Sequence, residues 1–88
     1  MNRAEQRIGV LLGDILSACH AISRETKADC FFAYYPHVNG VHVCLCEFGW
    51  TPWTKGETFE LYDMTANDLA ELKKRLWDTY ARLTGGVK

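Results

Sequence analysis

Apolar residues recur three and four apart from Ile8 through Leu11, Leu12, Ile15 and Cys19 to Ile22, the spacing of a helix with one buried stripe. Asn2, three residues before Glu5, resembles the start of a capping box, so a first helix is expected from about residue 3 to about residue 26. The period then changes. Cys30 to Tyr35 and Val41 to Phe48 are rich in the β-branched and aromatic residues of strands, and Glu57 to Tyr62 alternates well enough to form another. Strands are expected at about 30–36, 41–48 and 57–62. Helical spacing returns with Leu69, Leu72, Leu76, Tyr80 and Leu83. Thr65 is placed as an N-cap and Gly85 with Gly86 as the stop, giving a helix at about 66–84 whose exposed side pairs Glu71 with Arg75. The pattern therefore predicts one α+β domain over residues 1–88, a helix, a three-stranded antiparallel meander and a second helix.

Asn39-Gly40 lies between the first two strands and is a strong hairpin signal, because a type I′ turn needs positive φ at both central positions. That turn would set Val38 opposite Val41, His37 opposite His42, Tyr35 opposite Cys44 and Ala33 opposite Cys46. A longer loop over Pro36 to Gly40 would shift every one of these pairs. Side chains alternate between the two faces of the sheet. One face carries Phe32, Tyr34, Val41, Val43 and Leu45, and the other Phe31, Ala33, Tyr35, His37, His42, Cys44, Cys46 and Phe48.

A chain of 88 residues buries only roughly 60% of the surface that its unfolded form exposes. Two helices can cover one sheet face, and the second apolar face then needs a cover. A homodimer would supply it, packing sheet against sheet through Phe31, Tyr35 and Phe48 or helix against helix along Gly9, Gly13, Ser17 and Ala21. This line of small residues at four-residue intervals lies away from the buried stripe.

Ten basic residues against eleven acidic ones leave a net charge of -1, without the basic block that phosphate binding requires. No nucleic acid partner is expected. No apolar run approaches the length of a membrane span, and the N-terminus has none of the features of a signal peptide. The expected location is the cytoplasm, where the four cysteines stay reduced and act as small hydrophobes.

Three groups of residues have candidate chemistry. His37, His42, Cys44 and Cys46 share a face on the two-residue-turn register and have the donor types zinc prefers, though without the usual two-residue ligand loop. Cys44 beside His42 or His37 has the elements of a thiol nucleophile with a base, yet nothing in the sequence activates it. Trp50, Pro52 and Trp53 stand in a turn-rich connection and offer two indoles as a contact surface for a protein partner, or as a cap on the small core. The acidic residues are scattered, so no catalytic set is expected and no cofactor.

The run Tyr34-Tyr35-Pro36-His37-Val38-Asn39, followed by a short strand and Gly49-Trp50, resembles a pattern in small uncharacterised proteins encoded by bacteriophages and prophages. The resemblance covers the central third of the chain. It implies a helix-flanked β-meander of phage or prophage origin and brings no catalytic residues with it. The sequence thus leads to a non-enzymatic interaction protein, dimeric and binding a protein partner through the tryptophan loop or an open sheet surface. The alternatives are a zinc-stabilised domain and, below it, a small thiol enzyme.

Overall fold

The apolar stripes of both helices need a common surface, and the sheet provides it. The computed structural model describes residues 2–85. It has α1 (Arg3–Glu25), β1 (Asp29–Tyr35), β2 (Gly40–Cys46), β3 (Glu57–Leu61) and α2 (Ala66–Leu83), with the strands antiparallel in the order β1-β2-β3. Both helices lie on the face that carries Val41, Val43 and Leu45. The buried core joins those residues to Leu11, Ile15, Ala18, Cys19 and Ile22 of α1 and to Leu69, Leu72 and Leu76 of α2. Each valine, leucine and isoleucine among them contributes about 1.5–3 kcal/mol on burial. The molecule is a two-layer slab of 38 × 32 × 17 Å.

Both helices begin where their capping residues stand. Asn2 Oδ1 accepts the Glu5 N–H at 2.9 Å, and its Nδ2 donates to Glu5 Oε1 at 3.3 Å. At α2 the box is complete: Thr65 Oγ1 accepts from the Asp68 N–H at 3.2 Å and Asp68 Oδ2 from the Thr65 N–H at 3.1 Å. Thr26 and Thr84 are the C-caps, and Gly85 follows with φ +70°, the left-handed conformation that glycine adopts without steric cost. Gly86, also expected at this stop, lies outside the described residues. Across the helix pair Lys73 Nζ meets Asp14 Oδ2 at 2.9 Å. The expected Glu71–Arg75 pair does not form, because the Arg75 guanidinium stands 4.6 Å over the Phe59 ring of β3 instead.

The connection between β1 and β2 departs from the two-residue turn. Pro36 begins a short 3-10 turn, Pro36–Val38, since its ring holds φ near the helical value. Asn39 alone takes positive φ, 47°, and Gly40 already belongs to β2. Asn39 is also tied to the segment before α2: its carbonyl accepts the Met64 N–H at 3.0 Å and its Nδ2 donates to the Met64 carbonyl at 3.2 Å. The register consequently moves to Ala33 opposite His42, Phe31 opposite Cys44 and Tyr35 opposite Gly40. The displacement is an even number of residues, so each side chain that stays in the sheet keeps its face while every cross-strand partner changes, and His37 and Phe48 leave the sheet. β2 also ends at Cys46 rather than Phe48.

Two glycines are required by close approach. A Cβ on Gly40 would lie 2.5 Å from the Leu61 carbonyl oxygen, and one on Gly56 would lie 2.5 Å from Cys44 Sγ and 2.9 Å from the Leu45 carbonyl oxygen. Gly56→Ala should therefore lower stability by about 1–3 kcal/mol through overpacking, seen as an earlier urea midpoint with an unchanged slope. Gly9→Ala meets nothing within 4 Å and should raise that midpoint, through a gain in stability of roughly 0.5–1 kcal/mol at an exposed helix position.

Candidate functional site

The connection from β2 to β3 leaves the sheet at a turn in which the Gly49 N–H donates to the Cys46 carbonyl at 3.1 Å. Gly49 has φ +92°, and Asp29 Oδ2 at the start of β1 accepts the Trp50 N–H at 2.7 Å. The next four residues, Thr51-Pro52-Trp53-Thr54, close on themselves. The Thr54 N–H donates to the Thr51 carbonyl at 3.0 Å, the Thr51 N–H to Thr54 Oγ1 at 3.0 Å, and the two hydroxyls share a bond of 2.6 Å. Proline at the second position of such a turn presets its φ.

This fastened turn holds Trp53 at its tip, 89% exposed, with Trp50 56% exposed behind it. Neither indole folds back to cap the core. Trp77, by contrast, packs against the core and meets Tyr80 edge-on at 5.4 Å. A hollow of about 660 Å³ opens beside the turn, lined by Leu45, Phe48, Thr51 and Thr54 with Glu47, Lys55 and Glu57 as its charged members. The hydrogen bond from Arg82 to Glu47, at 2.7 Å, holds the Glu47 carboxyl below its usual range.

The sheet face turned away from the helices is the other open surface. It carries Phe31, Ala33 and Tyr35 from β1, His42 and Cys44 from β2, and Thr58 and Glu60 from β3. Of the residues expected in a dimer contact, Phe31 and Tyr35 stand on this face and are 48% and 38% exposed. Phe48 does not. Lying beyond the end of β2, it is fully outside the sheet, beside Thr26, Lys27 and Leu83 at the ends of the helices. Gly9, Gly13 and Ser17 face solvent, and among the described residues no other backbone approaches the two glycines.

The zinc set is not assembled, and the shifted register is the reason. His37 sits in the 3-10 turn, edge-on to Tyr35 at 6.3 Å, and no longer faces His42. His42 stands 3.8 Å from Glu60 on the neighbouring strand. Cys46 is buried. Among the described residues no group of three or more His, Cys, Asp or Glu side chains is placed to hold a metal ion. Cys44 has Phe31 and Thr58 as its cross-strand neighbours, and His42 is two residues along the strand, about 7 Å away, so the thiol and a histidine are not in hydrogen-bond contact. Burial, followed by the proximity of Cys44, pushes the Cys46 thiol up. Cys30 is pushed up as well, first by its hydrogen bond with Cys19 and then by burial.

The sequence reading missed the fastening of the tryptophan turn by Asp29 and the two threonines. Threonines flanking a Pro-Trp pair are the local signal for that lock. The anchoring by Asp29 comes from a residue 21 positions away, and no local signal carries it.

Comparison with family models, with curated proteins and with solved structures finds no match. Among the described residues no helix is long and apolar enough to cross a membrane.

Thiolates alone are reactive, so raised and buried thiols label slowly. With a maleimide near neutral pH, Cys44 should be modified first and Cys46 and Cys30 should resist until the chain unfolds; mass spectrometry of partially labelled peptides would read the order. Uniform labelling of all four thiols in the folded protein would contradict the burial of Cys19 and Cys46.

Proposed function

We propose that the protein is a non-enzymatic interaction module that docks a protein partner on the turn bearing Trp50, Pro52 and Trp53. One observation supports this reading above the others: an almost fully exposed indole, Trp53, stands on a turn whose backbone and hydroxyl groups are bonded to one another. A large ring carried on a backbone that is already fixed costs less ordering on binding than one on an open loop, and tryptophan is a dominant contact in protein interfaces. The matching partner surface is an apolar pocket deep enough for an indole, with a basic rim toward Glu57 and an acidic one toward Lys55. A cytoplasmic setting and a phage or prophage origin belong to the same reading, the second resting on the Tyr34 to Trp50 resemblance.

The metal and thiol readings receive no comparable support, since the residues each requires stand apart. The test uses Lys55, exposed beside the turn, as a reporter. A partner bound there should crosslink to Lys55, disappear with Trp53→Ala and return in part with Trp53→Phe, while the melting temperature stays within a degree or so, as expected for surface substitutions. Undiminished binding by a Trp50→Ala, Trp53→Ala double variant would reject the turn as the docking site.

A further inference from the structure

The two edges of the sheet differ in how they are protected. β3 is a five-residue strand carrying Glu57 and Glu60, and short charged edges discourage the addition of another strand. β1 has seven residues, Asp-Cys-Phe-Phe-Ala-Tyr-Tyr, with no lysine or proline and one charge at its beginning. Ser23 of α1 reveals which backbone groups of β1 point outward. Its hydroxyl accepts the Cys30 N–H at 2.9 Å and donates to the Cys30 carbonyl at 3.3 Å. By the alternation of an antiparallel strand, the N–H and C=O groups of Phe32 and Tyr34 point the same way, away from β2. No loop or side chain among the described residues takes them up.

We propose that the β1 edge is a self-pairing site, at which β1 of a second copy adds antiparallel across a two-fold axis to form a continuous six-stranded sheet. The open groups of this edge are self-complementary. With Cys30 closed by Ser23, a two-fold axis through Ala33 sets Phe32 against Tyr34 of the other copy at both ends of the contact. Every open group on both edges then finds a partner. An axis at Phe32 would bring Tyr34 against the closed Cys30, and an axis at Tyr34 would leave Phe32 unpaired. The same register sets Phe31 opposite Tyr35 of the second copy, twice, on either side of paired Ala33 residues. Both rings are exposed on the open face of the free chain, and cross-strand aromatic pairs stabilise a sheet. Leu16 lies seven residues before Ser23, and thus on the same stripe of α1, and is 52% exposed along this flank. An isologous contact of this kind closes on itself and leaves no growing end at β1. The inference is independent of the tryptophan turn, which lies on the β2–β3 connection.

Sedimentation equilibrium combined with amide hydrogen exchange on the full chain tests it. The expected result is a dimer over the micromolar range in which the Phe32 and Tyr34 amides exchange slowly. Tyr34→Lys should abolish the dimer and the protection of those two amides while the β2 amides stay protected, and Tyr34→Phe should retain both. If Tyr34→Lys does not fold, Tyr34→Pro serves in its place, because it removes an outward N–H that the sheet of the single chain does not use. A monomeric wild type, or a dimer whose Phe32 and Tyr34 amides exchange as fast as exposed loop amides, would overturn the proposal. So would a monomer that gains this protection only on adding an extended peptide, since that outcome gives the edge to a different occupant.

Discussion

Two helices and three strands leave a sheet with one covered face, and this one-sided burial is the constraint on which the rest of the structure depends. Ile15, Ile22, Leu69 and Leu76 meet Val41 and Val43 in a single apolar layer. The alternation of the strands then sends Phe31, Tyr35, His42 and Cys44 to the other side. The slab is 17 Å thick in its shortest dimension, the depth of one sheet and one layer of helices. Aromatic area left outside such a core is available for contacts between molecules.

Much of this architecture was legible in the sequence because it rests on local periods and caps. The element order, the Asn2 and Thr65 caps and the division of side chains between the two sheet faces all follow from spacings of two, three and four residues. The hairpin register was not legible. Asn39-Gly40 favours a type I′ turn when flanked only by its strands, but Pro36 begins a 3-10 turn and Asn39 is held by Met64, 25 residues later. The tertiary bonds outweigh the dipeptide's own preference, and the expected zinc ligands separate as a result. The faces survived because the register moved by an even number of residues.

The same distinction applies to the candidate sites. Trp50 and Trp53 were identifiable from residue type and turn context, whereas their exposure depends on Asp29 and on the threonine pair, and Phe48 leaves the sheet because β2 stops two residues before it. The open backbone groups of β1 could not be read from composition. They are located by Ser23, whose hydroxyl occupies the outward groups of one residue and so marks the orientation of the next two outward positions. The fold thus leaves two separate features exposed, an aromatic turn on the β2–β3 connection and an open edge on β1, with a shared core behind both.

The indoles of the turn stand in water in the free protein. Acrylamide quenching of the fluorescence of a Trp77→Phe variant tests it most directly, because the emission then comes from Trp50 and Trp53 alone. Emission is expected at the wavelength of a hydrated indole, with quenching close to that of free tryptophan. Blue-shifted emission protected from acrylamide would contradict it, by showing both rings packed against the core.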